Sequence, residues 1–379
     1  MGVRRGARAE KVNKKVLCIF GTRPEVIKMA PVIRALDMVQ GIEVNVLCSG
    51  QHRELLIPLI EWFQLTVDED LKVMTENQSL SALTARLMSA FERRFTSSRP
   101  DLVLAQGDTT TVMCAALSCF YMNIPFGHVE AGLRTFDPHN PFPEEFNRVA
   151  VTRVAQLHFC PTGRARDNAL AEHVDATSVH LTGNTVIDAL QYTAAKLETL
   201  PPKYPDHDIL VTAHRRENLG APLIAICEAL IDLCEQFPYL RILYPVHPNP
   251  NVRATTQQML SRRPNISLVE PLDYPQLVSA MNVAKVILTD SGGIQEEAPA
   301  LGKPVLVLRK VTERPEAVEL GVAGLVGSSR ADIVSETRRL LLEPEHYARM
   351  ARGGSPYGDG RAAERIRGIV CDYLRVAAF

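Results

Sequence analysis

Short apolar runs rich in β-branched residues alternate along the chain with longer stretches of helical period. This alternation predicts parallel β-sheets covered by α-helices on both faces. Strands are predicted first at residues 15–20, 43–48, 101–106, 124–129 and 156–160, and then at residues 208–213, 241–246, 266–270, 285–290 and 304–308. The predicted fold class is therefore α/β, with two Rossmann-like domains that each have a parallel sheet.

The segment between the two series of strands, residues 198–208, is rich in proline and charge. Because a proline pair continues neither a helix nor a strand, we expect the domain boundary there. The N-terminal domain is predicted over residues 15–200 and the C-terminal domain over 201–360, with the active site in the cleft between them. Residues 1–14 are expected to form a disordered basic extension, and 361–379 a final helix.

The composition narrows the classes of function. Because 42 basic and 43 acidic residues leave a formal net charge of -1, no global field attracts nucleic acid or an anionic membrane. The eight cysteines contain no C-x-x-C pair, which favours reduced thiols in a cytoplasmic protein over disulfides or a metal site. No segment has the length needed to cross a bilayer. We therefore expect a cytoplasmic protein that binds no metal and recognises any anion through local groups.

Polar residues follow the first and third predicted strands. After residues 15–20, Arg23 and Lys28 would present two cations to an anion at the start of a helix, although solvated charges in a plain turn are the alternative. After residues 101–106, either Asp108 or Thr109 is expected to cap the next helix. Since the polar run ends a very apolar strand, at least one of its side chains should reach the ligand.

Further acidic residues are predicted at the same sheet edge. Glu130 follows a strand and is either paired with Arg134 or available to a ligand, while Glu144 stands at a predicted helix start. Carboxylates gathered at one edge can raise one another's pKa and exchange protons near neutrality. We therefore take Asp108, Glu130 and Glu144 as candidate acid-base groups.

The second half contains the clearest anion-binding pattern. The strand at 285–290 runs into Ser291-Gly292-Gly293, where backbone N-H groups at a helix start can bind phosphate and the glycines allow close approach. Glu296 or Glu297 could then accept the ribose hydroxyls of a nucleotide. Arg314 could supply another phosphate cation, and so could the cationic group that begins at His214. For His247 ordinary packing is the default interpretation.

Several motifs are absent from the sequence. There is no G-x-x-x-x-G-K-[ST], which excludes ATP hydrolysis of the P-loop type. The single G-x-G-x-x-A match, at residues 358–363, lacks a preceding strand, so a nicotinamide or other dinucleotide cofactor has no evident site. No cofactor is therefore expected.

An ordered set of motifs now identifies a resemblance. The chain contains GTRPEVIK, GQHREL, GDTTT, HVEAGLRT, PFPEEFNR, TGNTVID, HRREN, YPVHPNP, LTDSGGIQEEAP, GKPVLVLR, TERPEA and PYGDG, in this order from about residue 15 to 375. In this it resembles the non-hydrolysing UDP-N-acetylglucosamine 2-epimerases. The resemblance implies the two-Rossmann fold of GT-B glycosyltransferases, with the last helix packed on the first domain, and a homodimer.

The resemblance also implies an activity and a set of site residues. The expected reaction is reversible C2 epimerisation of UDP-N-acetylglucosamine to UDP-N-acetylmannosamine, by elimination and re-addition of UDP through 2-acetamidoglucal. The implied acid-base residues are Asp108, Glu130 and Glu144, with His214 also catalytic. The implied ligands of the UDP moiety and substrate are Arg23, Lys28, Arg134, Ser291, Gly292, Gly293, Glu297 and Arg314. Gln51, Arg215 and His247 match positions where relatives bind UDP-N-acetylglucosamine as an allosteric activator.

Other functions share these motifs. A hydrolysing epimerase would release free N-acetylmannosamine and UDP, and a GT-B glycosyltransferase would use the same diphosphate site with an acceptor. A sugar-nucleotide sensor without turnover is the non-enzymatic alternative. The three candidate carboxylates favour an epimerase over a glycosyltransferase, for which one base usually suffices.

Overall fold

The protein is described by a computed structural model that covers residues 13–50, 53–73, 75, 78–352 and 354–377. The chain forms two compact units: the first runs to Ala189 and also includes the chain from Gly360 onward, and the second is Leu190–Asp359. The predicted linker at 198–208 belongs to the second unit, and residues 1–12 of the predicted extension lie outside the described residues.

The first unit contains a seven-stranded parallel sheet in the order β3-β2-β1-β4-β5-β6-β7. Its elements are β1 Lys14–Phe20, α1 Arg23–Asp37, β2 Ile42–Cys48, α2 Arg53–Trp62, β3 Glu69–Asp70, α3 Leu80–Ser97, β4 Leu102–Gln106, α4 Thr110–Tyr121, β5 Phe126–Val129, α5 Glu144–Val154, β6 Leu157–Cys160, α6 Gly163–Ala171, β7 Val179–Leu181 and the start of α7 Thr185–Leu197. The strand order reverses between β1 and β4, so this sheet has one topological switch point.

The second unit contains a six-stranded parallel sheet in the order β10-β9-β8-β11-β12-β13. Its elements are β8 Ile209–Thr212, α8 Ala221–Gln236, β9 Ile242–Pro245, α9 Pro250–Leu260, β10 Ile266–Val269, α10 Tyr274–Val283, β11 Val286–Thr289, α11 Gly292–Ala300, β12 Val305–Val307, α12 Pro315–Glu319, β13 Ala323–Leu325, α13 Arg330–Leu342 and α14 Pro344–Met350. Here the strand order reverses between β8 and β11. The predicted α/β class with two Rossmann-like sheets is confirmed.

The central strands are apolar because both faces of each sheet are covered. All five residues of β4 and all four residues of β8 are buried, as expected for strands in parallel sheets. Phe91 and Phe95 of α3 stack at 5.7 Å between ring centroids within the first core. Tyr244 of β9 is fully buried in the second core. These cores hold the strand ends, and so the turns after them, in fixed positions.

The last helix, α15 Ala362–Leu374, belongs to the first unit and packs against α1. Its start is bound by Asp188 of α7, whose carboxylate accepts backbone N-H bonds from Ala362 at 3.2 Å and Ala363 at 2.9 Å. A carboxylate at a helix N-terminus satisfies otherwise unpaired N-H groups and interacts favourably with the helix dipole. Within the part of the chain that the structure describes, no helix combines the length and apolar character needed to span a membrane.

Candidate active site

The two turns at the switch point of the first sheet are joined by the buried side chain of Glu25. One carboxylate oxygen accepts backbone N-H bonds from Gly21 at 2.5 Å and Thr22 at 2.8 Å, which forms a capping box at the start of α1. The other oxygen accepts the hydroxyl of Thr109, in the turn after β4, at 2.6 Å. Burial raises the pKa of Glu25 although these hydrogen bonds oppose the shift. Glu25 thus fixes the turn of Arg23 relative to the turn of Asp108.

Asp108 is held by two residues of α5. Its carboxylate oxygen Oδ2 lies 2.9 Å from Nε and 2.8 Å from Nη2 of Arg148, and its backbone carbonyl accepts a bond from Asn147 at 2.7 Å. The Asp108 side chain keeps 25% of its surface exposed. Thr109, the other predicted cap, accepts the backbone N-H of Val112 and caps α4. The carboxylate of Asp108 is therefore oriented by Arg148 and reaches solvent.

Glu130, at the end of β5, binds Lys28 of α1. Lys28 Nζ lies 2.5 Å from Glu130 Oε2, and Gln106 donates to the same oxygen at 2.8 Å. The two charged side chains are only 11% and 6% exposed. Glu130 also has a positive φ of 65°, a conformation that is uncommon outside glycine and is concentrated at functional sites. Lys28, predicted as an anion ligand, is engaged by a carboxylate in this structure.

Asp108 and Glu130 thus have cations as direct partners. Arg148 adjoins Asp108 as well as Glu145, and Lys28 adjoins Glu130. From the sequence, these carboxylates were expected to act on one another, with Arg134 as the one cationic partner considered for Glu130. Burial by itself would lower the pKa of Arg148, but the two neighbouring carboxylates outweigh burial and raise it. Arg148 is therefore a permanent cation beside Asp108.

Two consecutive glutamates at the start of α5 have different environments. Glu145 is buried and accepts backbone N-H bonds from Thr135 and Phe136, both at 3.0 Å, so it stabilises the preceding loop. Glu144 is half-buried, and among the described residues its carboxylate has no hydrogen-bond or ion-pair partner. The carboxylate of Glu144 is therefore available to a ligand at a helix N-terminus.

Arg134 and Arg23, the two arginines of the first unit that were predicted to bind the substrate, also differ in their partners. Arg134 is not paired with Glu130; its guanidinium binds Glu172 through Nε at 2.5 Å and Thr152 at 2.7 Å, and the side chain is 1% exposed. This placement supports a structural role for Arg134. Arg23 is exposed at the first position of α1, and its guanidinium has no partner among the described residues.

His128 of β5 supports the turn that carries Asp108. Its ring is buried, and Nε2 lies 2.7 Å from the carbonyl oxygen of Gly107, the residue before Asp108. Burial lowers the pKa of His128 to about 3, so the ring is neutral near pH 7. Because the carbonyl only accepts, the proton of the neutral ring lies on Nε2. His128 therefore holds Asp108 in place and does not titrate in the physiological range.

In the second unit, positive charge collects at the start of α11. Ser291 is the N-cap but its side chain makes no capping bond. A methyl group placed on Gly292 would lie 3.6 Å from Cζ of Arg314 and 3.8 Å from Nη2 of Arg215, so two guanidinium groups lie beside this glycine. Arg215 has no hydrogen-bond or ion-pair partner for its side chain among the described residues. Unpaired backbone N-H groups and two adjacent cations together suit a phosphate.

The two glutamates of α11 have separate positions. Glu296 binds Nε of Arg314 at 2.7 Å and is 4% exposed on its side chain, so it orients that guanidinium. Glu297 lies beside Gly293, with Oε1 3.6 Å from a methyl placed there, and beside Tyr274. Burial and the adjacent Glu297 raise the pKa of Tyr274 well above its usual range. Glu297 is therefore the candidate for the ribose hydroxyls.

His214 and His247 stack with 5.2 Å between ring centroids and 11° between ring planes. Burial lowers the pKa of His214; His247 and Arg215 act in the same direction, and Asp290 opposes them. Of the three predicted activator-site residues, Arg215 adjoins the start of α11, His247 stacks on His214, and Gln51 lies outside the described residues.

The chain matches a known protein family over most of its length. The family model described as UDP-N-acetylglucosamine 2-epimerase matches residues 34–370. The chain belongs to this family. The UDP-N-acetylglucosamine 2-epimerase of Escherichia coli K12 is 46% identical over 364 residues, which cover 93% of this chain and 97% of that protein. The enzyme of the same name from Campylobacter jejuni is 43% identical over 372 residues, covering 94% and 97%.

Solved structures of this epimerase family agree with the fold. A Neisseria meningitidis UDP-GlcNAc 2-epimerase bound to UDP-GlcNAc matches with a TM-score of 0.87 and 44% identity, covering 94% of this chain and 100% of that one. A Methanocaldococcus jannaschii UDP-GlcNAc 2-epimerase in complex with UDP-GlcNAc and UDP matches with a TM-score of 0.79 and 31% identity, covering 94% and 99%. The predicted family and GT-B-like fold class are thus confirmed.

Three residues that hold the candidate site were not identified from the sequence. Arg148, Glu25 and Asp290 hold the turns that carry the predicted residues. Each stands inside a quoted motif, so its position was visible, but its partner lies far away in sequence. One signal was available for Glu25: the spacing Thr22-x-x-Glu25 is that of a capping box. Arg148 and Asp290 carry no comparable local signal.

Proposed function

We propose that the chain catalyses the reversible, non-hydrolysing C2 epimerisation of UDP-N-acetylglucosamine to UDP-N-acetylmannosamine. The observation that carries the proposal is the pair of guanidinium groups, Arg215 and Arg314, beside Gly292 at the open start of α11. A diphosphate is the ligand that matches two adjacent cations and free backbone N-H groups. The binding of UDP-GlcNAc by relatives named above supports this choice of ligand.

The proposed chemistry has two stages. The bond between C1 and the UDP oxygen breaks first, through an oxocarbenium-like state, and a base then removes the C2 proton, which gives 2-acetamidoglucal and UDP. A proton is then added to C2 from the opposite face, and the UDP oxygen attacks C1 to restore the sugar nucleotide. Departure of UDP places negative charge on the diphosphate, which Arg215, Arg314 and the start of α11 stabilise.

The first unit supplies the candidate proton-transfer groups in this proposal. Asp108 is oriented by Arg148, Glu130 is oriented by Lys28 and Gln106, and Glu144 has no partner among the described residues. Positioned carboxylates of this kind contribute general acid-base catalysis. Arg23, with its exposed guanidinium, is assigned to the substrate, while Arg134 is retained only as a structural residue because it binds Glu172. His214 and Glu297 complete the site on the second unit.

The wider setting is part of the same proposal. All eight cysteines are free, which supports action in a reducing compartment, and we propose the cytoplasm. We also propose a homodimer, as the family resemblance implies, and activation by UDP-N-acetylglucosamine through Gln51, Arg215 and His247. Light scattering of the purified chain would test the homodimer by its mass.

The test of the proposed function is a product assay with purified protein, UDP-N-acetylglucosamine and no added cofactor. We expect UDP-N-acetylmannosamine to accumulate to an equilibrium ratio that is also reached from the product side. Free N-acetylmannosamine with UDP would identify a hydrolysing epimerase. UDP release only with an added sugar acceptor would identify a glycosyltransferase, and binding without turnover a sensor. Each of these three results would reject the proposal.

A further inference from the structure

The switch point of the second sheet is spanned by a buried carboxylate that the proposed function does not yet use. Strands β8 and β11 are neighbours there, with Thr212 in register with Thr289, and the chain turns away after each of them. The turn after β8 carries His214 and Arg215, and the turn after β11 carries Asp290 and Ser291. Both turns therefore meet at the edge where open α/β sheets bind ligands.

Asp290 is fully buried and binds the opposite turn through one oxygen. Oδ2 accepts the backbone N-H groups of His214 and Arg215, each at 2.8 Å, and the side-chain amide of Asn218 at 2.9 Å. Three donors on one oxygen fix both the carboxylate plane and the backbone of the turn. The position of the second oxygen, Oδ1, is consequently fixed as well.

Oδ1 faces the imidazole of His214. It lies 3.3 Å from His214 Nδ1, an ion-pair distance, and among the described residues it is a buried acceptor that has no hydrogen-bond partner. A buried acceptor is strongly favoured to take the available proton. On its other side the His214 ring stacks on His247, whose Nδ1 accepts the backbone N-H of Asn249. The ring is thus held in one plane with Nδ1 towards Asp290.

We propose that Asp290 is a positioning residue that keeps His214 as the Nδ1-H tautomer and so leaves Nε2 for the ligand. This inference rests on the proposed function for the role of His214, because it assumes that His214 acts on the substrate. Because Oδ2 already accepts three donors and Oδ1 is a buried acceptor that faces Nδ1, this geometry favours the proton on Nδ1. In the neutral ring, Nε2 then carries a lone pair that can accept a proton. Asp290 stabilises the imidazolium that results. The same logic applies to histidines oriented by an aspartate in other enzymes.

The decisive variant is Asp290→Asn in the full chain. The amide oxygen can replace Oδ2 and accept the same three donors, while the amide NH2 then faces His214 Nδ1. Because an NH2 group donates, Nδ1 must become the acceptor and the proton must move to Nε2. We expect NMR of 15N-histidine-labelled protein to show protonated Nδ1 for wild-type His214 and protonated Nε2 for the variant. His214→Gln identifies the resonance.

The kinetic expectation is a loss of kcat of about 100-fold in Asp290→Asn, the scale of a misplaced acid-base group, with KM changing far less. Asn218→Ala is the matched control, since it removes one donor from Oδ2 and leaves the Oδ1 contact, so the His214 tautomer should stay unchanged. Circular dichroism and thermal unfolding would establish that each variant is folded.

Two results would overturn the inference. One is a wild-type spectrum with the proton on Nε2, which needs no variant at all. The other is a folded Asp290→Asn protein with the tautomer switched and kcat within about threefold of wild type. In another outcome, the tautomer switches between wild type and Asp290→Asn as expected while the wild-type protein forms no UDP-N-acetylmannosamine. That result would count against the proposed function and would still support the positioning of His214 by Asp290.

Discussion

At the scale of single residues, the side chains around Asp108 determine what that carboxylate can do. Arg148 binds its carboxylate, Asn147 binds its carbonyl, and His128 binds the carbonyl of Gly107 before it. Three contacts from two elements leave the carboxylate little freedom to rotate. A fixed carboxylate that still reaches solvent suits proton transfer to a bound substrate better than a solvated one.

The first prediction concerns this carboxylate and that of Glu130. Asp108→Asn and Glu130→Gln remove proton-accepting groups but keep the shape of each side chain, so we expect kcat to fall by about 100-fold or more in each. Coupled assay of UDP-N-acetylmannosamine formation would measure the effect. Asp167→Asn is the control, because Asp167 is exposed on α6 and, in the part of the chain that the structure describes, is paired only with Arg166. Near-normal rates in both test variants would remove these residues from the acid-base set.

The second prediction concerns His128 and pH. The pKa of His128 is about 3 in the folded protein and 6.5 ordinarily, so below pH 6.5 the unfolded chain binds a proton that the folded protein does not. The free energy of unfolding should therefore fall as pH is lowered from 6.5, by up to about 1.4 kcal/mol per pH unit from this group. Urea unfolding at several pH values would measure the slope.

His128→Gln should reduce that slope between pH 6.5 and 5, whatever its effect on absolute stability. His139→Gln is the control, since His139 is exposed. An unchanged slope in His128→Gln would show that His128 is not held neutral in the folded protein.

Residue types and their approximate roles could be predicted from the sequence, but their partners could not. Lys28 was expected to bind an anionic ligand and instead binds Glu130, which is 102 positions away. Arg134 was considered as a partner of Glu130 and instead binds Glu172. A local motif carries no information on which distant carboxylate is brought into contact with a cation, because the tertiary fold determines that contact.

At the scale of elements, both sheets use the same device at their switch points. Glu25 joins the turns after β1 and β4, and Asp290 joins the turns after β8 and β11. In each case a buried carboxylate accepts backbone N-H groups of one loop. The loops that carry the candidate site residues are thereby fixed by polar contacts as well as by the strands.

The third prediction tests the turn between Glu130 and Arg134. Gly132 has φ of 85°, and a methyl group added to it would lie 2.0 Å from the carbonyl oxygen of Ala165 in α6. Gly132→Ala should therefore lower the free energy of unfolding by about 2–4 kcal/mol. Gly163→Ala is the matched control: Gly163 lies in α6, the helix that contains Ala165, and a methyl group there would contact nothing within 4 Å. Equal stability of the two variants, measured in urea, would contradict this account.

The fourth prediction tests the start of α11. Arg314→Gln removes a positive charge beside Gly292 but keeps a donor for Glu296, so UDP should bind about 10- to 100-fold more weakly. Isothermal titration calorimetry with UDP would measure the change. Arg338→Gln on α13 is the control, since Arg338 is exposed on a helix remote in sequence from this turn. An unchanged affinity in Arg314→Gln would place the diphosphate elsewhere.

The ten strands predicted from the sequence are all present, with ends shifted by at most two residues. The structure adds three short strands, β3, β7 and β13, which have two or three residues each. All three lie at the edges of their sheets. Because an edge strand is covered on fewer sides, its sequence lacks a long apolar run, and the hydrophobic pattern does not reveal it.

At the scale of the whole molecule, the net charge of -1 implies that anion binding depends on placement and not on a global field. The second unit concentrates guanidinium groups at the start of one helix, and the first unit concentrates carboxylates at the ends of its strands. The guanidinium groups of the second unit suit a diphosphate, and the carboxylates of the first unit suit proton transfer. The second series of strands and the proline- and charge-rich segment 198–208 before it indicated two units, whereas the observed division falls at Ala189 and Leu190, within α7.

The proposed epimerisation requires that the C2 proton be removed and replaced as UDP departs and returns. The most direct measurement is mass spectrometry and NMR of UDP-N-acetylmannosamine formed by the purified chain from UDP-N-acetylglucosamine in D2O. We expect deuterium at C2 of the product, because the re-added proton comes from a group that has exchanged with solvent. Inverted product that carries only hydrogen at C2 would rule out exchange of the C2 proton through elimination of UDP.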